Sequence, residues 1–491
     1  MEILSRNLYT TAAIRQIEQI VISAGIASGN TLMQRAGQAV IQACEGMALD
    51  GRHVLVVCGP GNNGGDGYVV AHGLREAGWT VDLVALGEPG DEKADAARAR
   101  QVWLASGGAV GVLEKMSVDG YDLIVDALLG TGLQRPLRTE MQVAVQQINA
   151  SRAAVIAVDI PSGLNAETGL PMGGSVIARQ TVSFVGWKPG LFIGQGADYC
   201  GQLVLDDLDI PVTVYRGVTP VAMLLDPTEL QQKLRPRKRV CHKGEFGHVL
   251  VVGGDSGLSG AVRMSAEAAS RTGAGLVSIA THPAHAALIA AACPVLMSHG
   301  VERSRGVLPL IDRASVIVVG PGLGNSAWSQ ACWDEVMQAG QPLVVDADGL
   351  NHLSRNARHR DDWVLTPHPG EAARLLGATS SEIQSDRISA VLDLRARYGG
   401  VVVLKGARTL IAGPSGVFVC ELGNSGMATA GMGDVLSGVI AGLLAQSLPL
   451  EVATRLGVYV HARAGDLAAG SQPRGLQATD LMPRIREVVN F

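Results

Sequence analysis

The first part of the chain alternates between apolar residues at helical spacing and unbroken apolar runs. Two helical stripes come first, and they consist of Ile14, Ile17, Val21 and Ala24, and of Leu32, Ala36, Val40 and Ala43. Residues three or four apart share one face of a helix, so these stripes predict two amphipathic helices ahead of the first strand.

Strand-like runs then alternate with further helical stretches. The runs are 53–58, 80–86, 122–130 and 153–161, followed by shorter ones at 181–186 and 202–208, with helices predicted near 67–77, 91–105 and 139–149. Continuous Val/Ile strands that alternate with helices are typical of a parallel sheet covered on both faces. The first half is therefore predicted to be a Rossmann-like, doubly wound α/β domain.

A second strand-helix series begins at 247–254 and continues through 275–281, 315–324, 342–350, 363–371 and 401–409. Between the two series lies RPRKRVCHKGEFG (235–247), whose proline, glycines and basic residues suit a linker, although a solvated surface segment would look the same. We place the boundary between about 215 and 240 and expect domains at 1–220 and 230–491.

Composition narrows the classes of function. The chain has 491 residues, 62 glycines, 47% hydrophobic residues and a net charge of −5, which suits a glycine-rich α/β protein of about two domains and disfavours nucleic acid as a partner. Seven cysteines without CxxC spacing, and no apolar segment of spanning length, predict a cytoplasmic protein without a membrane partner.

The sharpest motif of the second half is Gly431-Met432-Gly433-Asp434, which opens a predicted helix. Exposed amides at a helix start stabilise an anion, and an aspartate there can accept a hydroxyl proton, as phosphoryl transfer to an alcohol requires. An aspartate is also an ordinary helix cap. The run Lys405-Gly406-Ala407-Arg408-Thr409 favours the phosphoryl-transfer interpretation, because it offers a cation, a turn and a hydroxyl to nucleotide phosphates.

The second half resembles the ribokinase-like fold, specifically its ADP-dependent NAD(P)H-hydrate dehydratases. The shared motifs are SGA (259–261), GPGLG (320–324), DADGL (346–350), TPHPGE (366–371), KGART (405–409) and GMGDVLSG (431–438). The resemblance implies that ADP is bound by Lys405, Gly406, Ala407, Arg408, Thr409 and Gly433. It also implies that Ala261, Gly322, His368 and Asp434 contact the hydrated dinucleotide, with Asp434 as the base.

Two details of this half stay open at the level of sequence. Asp346 and Asp348 are suited either to holding Mg²⁺ beside the nucleotide or to capping a turn. Ala430 and Met432 depart from the residues usual in such kinases, and we expect these changes to alter packing and not the reaction.

In the first half, GPGNNGGDG (59–67) lies between a strand and a helix but lacks the GxGxxG spacing of dinucleotide-binding turns. Asn63, Asp126 and Ser162 come from the ends of three predicted strands that could lie side by side. Their oxygen atoms suit a hard monovalent cation, and they equally suit ordinary turn stabilisation.

This half resembles the NAD(P)H-hydrate epimerases through LMQRAG (32–37), GPGNNGGDG (59–67), DALLGTGLQR (126–135), VDIPSGLNAETG (158–169) and WKPGL (187–191). The resemblance implies K⁺ ligands at Asn63, Asp126 and Ser162. It implies that the hydrated dinucleotide is held by Asn62, Asn63, Gly64, Gly65, Asp66, Gly130, Thr131, Gly132, Leu133, Gln134, Arg135, Pro136 and Asp159.

The expected function is metabolite repair of hydrated NADH and NADPH: epimerisation of the R and S forms, then dehydration of the S form with ADP as phosphoryl donor. Asp159 is the candidate acid/base group of the epimerase, with Lys188 as an electrostatic partner, and we expect a homo-oligomer. One alternative is an ATP-dependent kinase of a vitamin precursor with a regulatory N-terminal half, and another is a non-enzymatic binding or scaffolding role for that half.

Overall fold

The computed structural model describes residues 6–89, 94–112 and 118–490. The chain divides into two units, Met1–Met223 and Leu224–Phe491. Within the described residues, no helix combines the length and apolar character needed to cross a membrane.

The first unit alternates strands and helices in the predicted manner. Its elements are β1 (Asn7–Leu8), α1 (Thr11–Ser23), α2 (Gly29–Gly46), β2 (His53–Cys58), α3 (Asn62–Glu76), β3 (Thr80–Ala85), α4 (Asp95–Ala105), β4 (Leu123–Ala127), α5 (Thr139–Ala150), β5 (Ala154–Val158), β6 (Gln180–Phe184), α6 (Gly196–Tyr199), β7 (Gln202–Asp206), α7 (Val212–Tyr215) and β8 (Ala222–Leu224).

A 6-stranded parallel sheet forms the centre of this unit, in the order β3-β2-β4-β5-β6-β7. Buried side chains form a core cluster on each side of it, one with α1 and α2 and the other with α5. The predicted doubly wound class is therefore confirmed. Because β2, β4 and β5 are neighbours, the segments that follow them meet at one edge of the sheet.

Two predicted helix bounds need comment. The helix predicted near 67–77 begins at Asn62, so the NNGGD residues are its first turns and not a loop. The helix predicted near 91–105 is observed from Asp95 to Ala105, and residues 91–93 lie outside the described residues.

The second unit contains a longer series of the same kind. Its elements are α8 (Pro227–Lys233), β9 (His248–Val252), α9 (Ser259–Thr272), β10 (Leu276–Thr281), α10 (Pro283–Ala292), β11 (Met297–Gly300), α11 (Leu308–Ile311), β12 (Val316–Val319), α12 (Ala327–Val336), β13 (Leu343–Val345), α13 (Asp348–Arg355), β14 (Trp363–Leu365), α14 (Pro369–Leu376), α15 (Ser380–Ser385), α16 (Arg387–Tyr398), β15 (Val401–Leu404), β16 (Leu410–Gly413), β17 (Gly416–Val419), α17 (Met432–Ala445), α18 (Leu450–Ala469) and α19 (Leu481–Val488).

The strands of the second unit follow the order β17-β16-β15-β14-β13-β12-β9-β10-β11. Those from β15 to β11 are parallel, whereas β16 pairs antiparallel with both β15 and β17. The run β15-β14-β13-β12-β9 brings five carboxyl ends to one edge, where the motifs of this half lie.

Candidate active sites

A cavity of about 980 Å³ opens at the carboxyl edge of the first sheet. Its walls come from α1, from the start of α3, from the segment after β4, and from Asp159 and Lys188. The predicted residues that line it are Asn62, Asn63, Asp66, Gly130, Thr131, Gly132, Leu133, Gln134, Arg135, Pro136 and Asp159.

Gly64 and Gly65 lie behind this wall, buried in α3. A Cβ atom at Gly64 would overlap the carbonyl oxygen of Gly59, and one at Gly65 would come within 2.5 Å of the Met33 side chain. These two glycines let the first turn of α3 sit close to the strand end. Its unpaired amides can then face an anionic ligand.

Asp126 and Ser162 are both buried and are not among the residues that line the cavity. The Ser162 hydroxyl donates to Asp126 Oδ1 at 2.6 Å and its backbone N–H donates to Oδ2 at 2.8 Å, while the Leu128 N–H donates to Oδ1 at 3.3 Å. Burial still raises the pKa of Asp126 to about 6, because these hydrogen bonds only partly offset the loss of water.

Asn63 completes the predicted set of cation ligands at the start of α3. Its side chain is 8% exposed, and its Nδ2 atom has no hydrogen-bond partner among the described residues. Its Oδ1 atom would lie 3.2 Å from a Cβ atom at Gly130, so the amide sits against the segment after β4.

The donor set fits a monovalent cation. Asp126 is a buried carboxylate, and no cationic side chain is among the causes of its pKa shift. Rotating the Asn63 amide would present an oxygen atom where its unpaired nitrogen now lies. A single carboxylate with neutral oxygen ligands suits a weakly hydrated monovalent ion.

Asp159 and Lys188 form a buried ion pair at the cavity wall. Asp159 adopts a left-handed backbone conformation with φ 68°, which turns its side chain back towards the strand ends. The backbone N–H of Phe184 donates to Asp159 Oδ1 at 3.2 Å, and Lys188 also donates to Ser183 Oγ at 3.0 Å and to the Phe184 carbonyl at 2.8 Å. The expected partnership of Asp159 and Lys188 is thus present in the structure.

Glu18 also lines the cavity, and the sequence motifs had not singled it out. Burial, followed by the charge of Asp159, raises the pKa of Glu18. Burial and the charges of Asp159 and Glu18 raise the pKa of Asp66 well above its usual range. Helical spacing identified α1, but nothing in its sequence indicated which polar side chain faces a ligand cavity.

In the second unit, each predicted residue follows one of five adjacent parallel strands or starts a helix beside them. Ala261 follows β9, Gly322 follows β12, His368 follows β14 and Lys405 follows β15, while Asp434 lies in the first turn of α17. A Cβ atom at Gly322 would lie 3.2 Å from that of Ala261, so these two are direct neighbours.

Lys405 is the electrostatic centre of this edge. Its Nζ atom lies 2.6 Å from Asp346 Oδ1 and 3.7 Å from Glu371 Oε2. Burial by itself would lower the pKa of Lys405, but the charges of Asp346 and Glu371 outweigh burial, so the pKa is raised. A Cβ atom at Gly433 would lie 3.0 Å from the same Nζ atom, which puts the ammonium group beside the start of α17.

Asp434 belongs to this cluster but has a different environment. Burial raises its pKa to about 7, and the charge of Asp346 adds to the effect while Lys405 opposes it. A carboxyl group that ionises near neutral pH is suited to general base catalysis.

Arg387 holds the loop after β15 through hydrogen bonds to backbone carbonyl groups. Its guanidinium donates to the Ala407 carbonyl at 2.5 Å and to the Leu404 carbonyl at 3.3 Å. Arg408 has a left-handed conformation with φ 57°, and Thr409 Oγ1 donates to the Gly406 carbonyl at 3.1 Å. The loop is therefore a fixed turn, as a backbone anion site requires.

His368 caps α14 and keeps its ring half-exposed. The ring Nδ1 atom accepts from the Gly370 N–H at 2.9 Å, and Glu371 Oε2 accepts from the His368 N–H at 2.8 Å. Burial and then Lys405 lower the pKa of His368. Glu371, which sequence reasoning missed although it ends the TPHPGE motif, therefore both completes the cap and faces Lys405.

Asp346 and Asp348, which the sequence left undecided, differ in the structure. Asp348 accepts from the Gly324 N–H at 2.8 Å and from Asn351 Nδ2 at 3.1 Å, as a turn-stabilising residue does. Asp346 is 1% exposed, and its Oδ2 atom has no hydrogen-bond partner within the described part of the chain. Of the two, Asp346 is the one whose carboxylate has an oxygen atom without a partner among the described residues, which suits a cation ligand.

His461 is a further residue that sequence reasoning missed. It lies on α18 and is hydrogen-bonded to the backbone of Met432, at the start of α17. Burial lowers its pKa to about 4, so the ring is neutral. No spacing or motif in the sequence relates α18 to this position.

Two family models match separate stretches of the chain. The model of the NAD(P)H-hydrate dehydratase family matches residues 249–487, and that of the YjeF-related protein N-terminus matches residues 29–190. A protein of Coxiella burnetii named bifunctional NAD(P)H-hydrate repair enzyme Nnr is 43% identical over 486 residues, covering 98% of this chain and 99% of the relative. The chain belongs to the bifunctional NAD(P)H-hydrate repair enzymes.

Two further proteins are similar to this repair enzyme. The Escherichia coli protein of the same name is 43% identical, with 94% of this chain and 89% of the relative covered. A ribokinase-like superfamily protein of known structure from Enterococcus faecalis is 30% identical, covers 54% of this chain and 94% of its own, and superimposes with a TM-score of 0.51. The predicted repair function is confirmed and the vitamin-precursor kinase alternative is not supported.

Proposed function

We propose that the first unit is the epimerase of this repair enzyme and the second unit is its dehydratase, with ADP as the phosphoryl donor. The observation that carries the proposal is that each unit has its own carboxylate near its own lysine, which is buried in the first unit and 18% exposed in the second. In the first unit these are Asp159 and Lys188, and in the second they are Asp434 and Lys405. Two reactions on one substrate need two such centres.

In the dehydratase, Asp434 takes the proton of the C6 hydroxyl group of the S hydrate. The hydroxyl oxygen then attacks the β-phosphorus of ADP, which forms a C6–O–P bond and releases AMP. Elimination breaks the C6–O bond, so phosphate leaves with the electron pair and a proton from C5 is lost. Phosphate is a far better leaving group than hydroxide, and the dihydropyridine ring is restored.

The residues around Asp434 have distinct roles in this proposal. The amide of Gly433 and the fixed turn Lys405, Gly406, Ala407, Arg408 and Thr409 hold the phosphates of ADP. Lys405 is already paired with Asp346 and Glu371, so it neutralises charge at the site more than it binds one phosphate oxygen. Ala261, Gly322 and His368 contact the hydrated dinucleotide.

Mg²⁺ is proposed to reach this site with the nucleotide. Such ions are commonly held by one or two carboxylates together with substrate phosphates. Asp346 can supply one carboxylate oxygen, and the bound ion would neutralise charge on the phosphates.

In the epimerase, Asp159 is the proposed acid/base group, and the hydrate lies in the cavity against the start of α3 and the 130–136 segment. Those contacts involve Asn62, Asn63 and Asp66, with Gly64 and Gly65 shaping the turn behind them. K⁺ would be held by Asn63, Asp126 and Ser162, where it would supply positive charge near the dinucleotide phosphates.

Separate assays of the two reactions test this assignment. Wild-type protein is given the pure R hydrate without nucleotide, and formation of the S hydrate is followed by chromatography. The same protein is then given pure S hydrate with ADP, and recovered NADH is followed by absorbance. We expect both reactions. Epimerisation that required ADP, or dehydration that proceeded without a nucleotide, would contradict the proposal.

Two wider proposals concern the whole chain. Self-association as a homo-oligomer is supported by apolar side chains on the surface of the second unit: Leu288 is 64% exposed and Val295 is 70% exposed. A sedimentation measurement that returned only monomer would remove it. A cytoplasmic location follows from the substrates, which derive from the NADH and NADPH pools, and cell fractionation tests it.

A further inference from the structure

The cavity of the first unit holds more carboxyl groups than its lysine can balance. Glu18 enters from α1, Asp66 from α3 and Asp159 from the segment after β5, and all three line the same cavity as Lys188. The motifs and the proposed mechanism assign an acid/base role only to Asp159.

Lys188 uses all of its N–H donors on one side of this cluster of carboxyl groups. An ammonium group has three N–H donors. Those of Lys188 go to Asp159, to Ser183 Oγ at 3.0 Å and to the Phe184 carbonyl at 2.8 Å. Asp159 is thereby tied to the lysine, and no donor of Lys188 remains for Glu18 or Asp66.

Asp66 is the least compensated of the three carboxyl groups that line the cavity. Burial and the neighbouring charges of Asp159 and Glu18 all disfavour its ionised form, and no cation is among the causes of its shift. The negative charge of Glu18 is better compensated, since Lys188 and Arg15 both favour its charged form. Carboxyl groups that share a site do not all ionise, and the least compensated one stays neutral.

Among the described residues, the other groups near Asp66 do not reverse this balance. The buried thiol of Cys58 on β2 faces it, and burial raises the pKa of that thiol. Asp95, Arg135 and Arg138 also line the cavity but are not among the causes of the shift. In the same turn of α3 the amide nitrogen of Asn63 is buried without a partner, which marks this wall as a place where a polar ligand belongs.

We propose that Asp66 is a neutral carboxylic acid that protonates the departing C6 hydroxyl group during epimerisation, opposite Asp159, the partner of Lys188, and that Glu18 is a positioning residue that keeps the proton on Asp66. This inference rests on the epimerase function proposed for the first unit.

Epimerisation then consists of the loss of one water molecule and the addition of another. The proton of Asp66 moves to the C6 hydroxyl oxygen, the C6–O bond breaks, and water leaves with the electron pair while the N1 lone pair forms a C6=N1 iminium. A water molecule on the opposite face then gives a proton to Asp159 as its oxygen bonds to C6, and the iminium pair returns to N1. Solvent carries the proton from Asp159 back to Asp66.

The variant Asp66→Asn keeps the shape of the side chain but has no acidic proton. We expect epimerisation of the pure R hydrate to fall by about 10²- to 10⁴-fold, the usual contribution of one proton-transfer group. The Tm of the first unit's transition, compared with that of wild type, reports whether this unit is folded in the variant. Epimerisation within about threefold of wild type would overturn the inference, whereas a wild-type protein that does not epimerise at all would refute the epimerase function itself.

The variant Glu18→Gln tests the positioning role through a pH profile. Loss of the Glu18 charge removes a like charge from Asp66, so Asp66 loses its proton at lower pH. We expect the alkaline limb of the epimerisation profile to move to lower pH by about one unit. The control Glu45→Gln removes a carboxylate from the exposed face of α2 and should leave the limb in place. An unchanged limb in Glu18→Gln would refute the role of Glu18.

Discussion

The same side chain type serves two purposes in this protein because its surroundings differ. Asp159 is paired with Lys188 and accepts the backbone N–H of Phe184. Asp434 lies close to Asp346 and shares Lys405 with Asp346 and Glu371, so its charge is poorly balanced and its pKa rises to about 7. Different surroundings give carboxyl groups different acid strengths, and one chain can thereby provide different acid/base functions.

The raised pKa of Asp434 predicts the pH dependence of dehydration. Asp434 must be deprotonated to act as a base, so kcat should be level above about pH 7 and fall about tenfold for each unit below it. Initial rates of NADH recovery from the S hydrate with saturating ADP measure this. The measurement covers about pH 5.5 to 8.5, which is roughly 1.5 units on either side of that pKa. A rate that does not change over this range would show that Asp434 is not the base.

The predicted cation site can be tested without turnover. K⁺ that binds only the folded protein stabilises it, by about 2.7 kcal/mol at a hundredfold excess over its Kd. We expect KCl to raise the Tm of the first unit's transition more than LiCl of equal ionic strength, and Asp126→Asn to remove that difference. Asp198→Asn, an exposed change on α6, is the matched control. Equal Tm values in both salts for wild type would argue against the site.

At the scale of elements, apolar periodicity predicted the central strands and most helices because those segments are buried in a regular way. The bounds of β2 and α5 differ from prediction by at most one residue. The helix at Asn62 was placed too late, because glycine and asparagine have low helix propensity and only packing against the strand end holds them there. The antiparallel strands β16 and β17 were not predicted.

For the sites, motifs indicated residues at strand ends, and sheet order explains why those residues meet. Glu18 and His461 could not be found in this way. Both lie on helices whose sequences read as ordinary amphipathic or buried segments, and only the packing of α1 and α18 brings them to a site.

The contact between α17 and α9 predicts a mutational effect at this scale. A Cβ atom at Gly438 would overlap the carbonyl oxygen of Ser265, and the Ser265 and Ser437 hydroxyl groups lie 3.1 Å apart. Gly438→Ala should push α17 away, destabilise the second unit by about 1–3 kcal/mol and lower dehydration, because Asp434 starts the same helix. Gly340→Ala, where a Cβ atom would meet nothing within 4 Å, is the control. Denaturant unfolding that gave the same stability for both variants would contradict the packing argument.

At the scale of the whole molecule, two units each carry a complete set of chemical groups. The residues proposed for epimerisation all lie in Met1–Met223, and those proposed for dehydration all lie in Leu224–Phe491. The hydrated dinucleotide is therefore the common substrate of two independent centres.

Independence of the centres predicts complementation between inactive variants. Asp159→Asn should convert only the S hydrate, and Asp434→Asn should interconvert the hydrates without recovering NADH. An equimolar mixture of the two should repair an R and S mixture fully, because the substrate can diffuse from one protein to the other. Failure of the mixture, with each single activity intact, would show that substrate must pass within one chain.

The most direct test of the account is complete repair by one preparation. A mixture of the R and S hydrates of NADH is incubated with wild-type protein and ADP, and recovered NADH is measured by absorbance until it stops rising. The account predicts recovery of nearly all of the hydrate. Recovery that stops when only the S hydrate has been consumed, or no recovery at all, would contradict it.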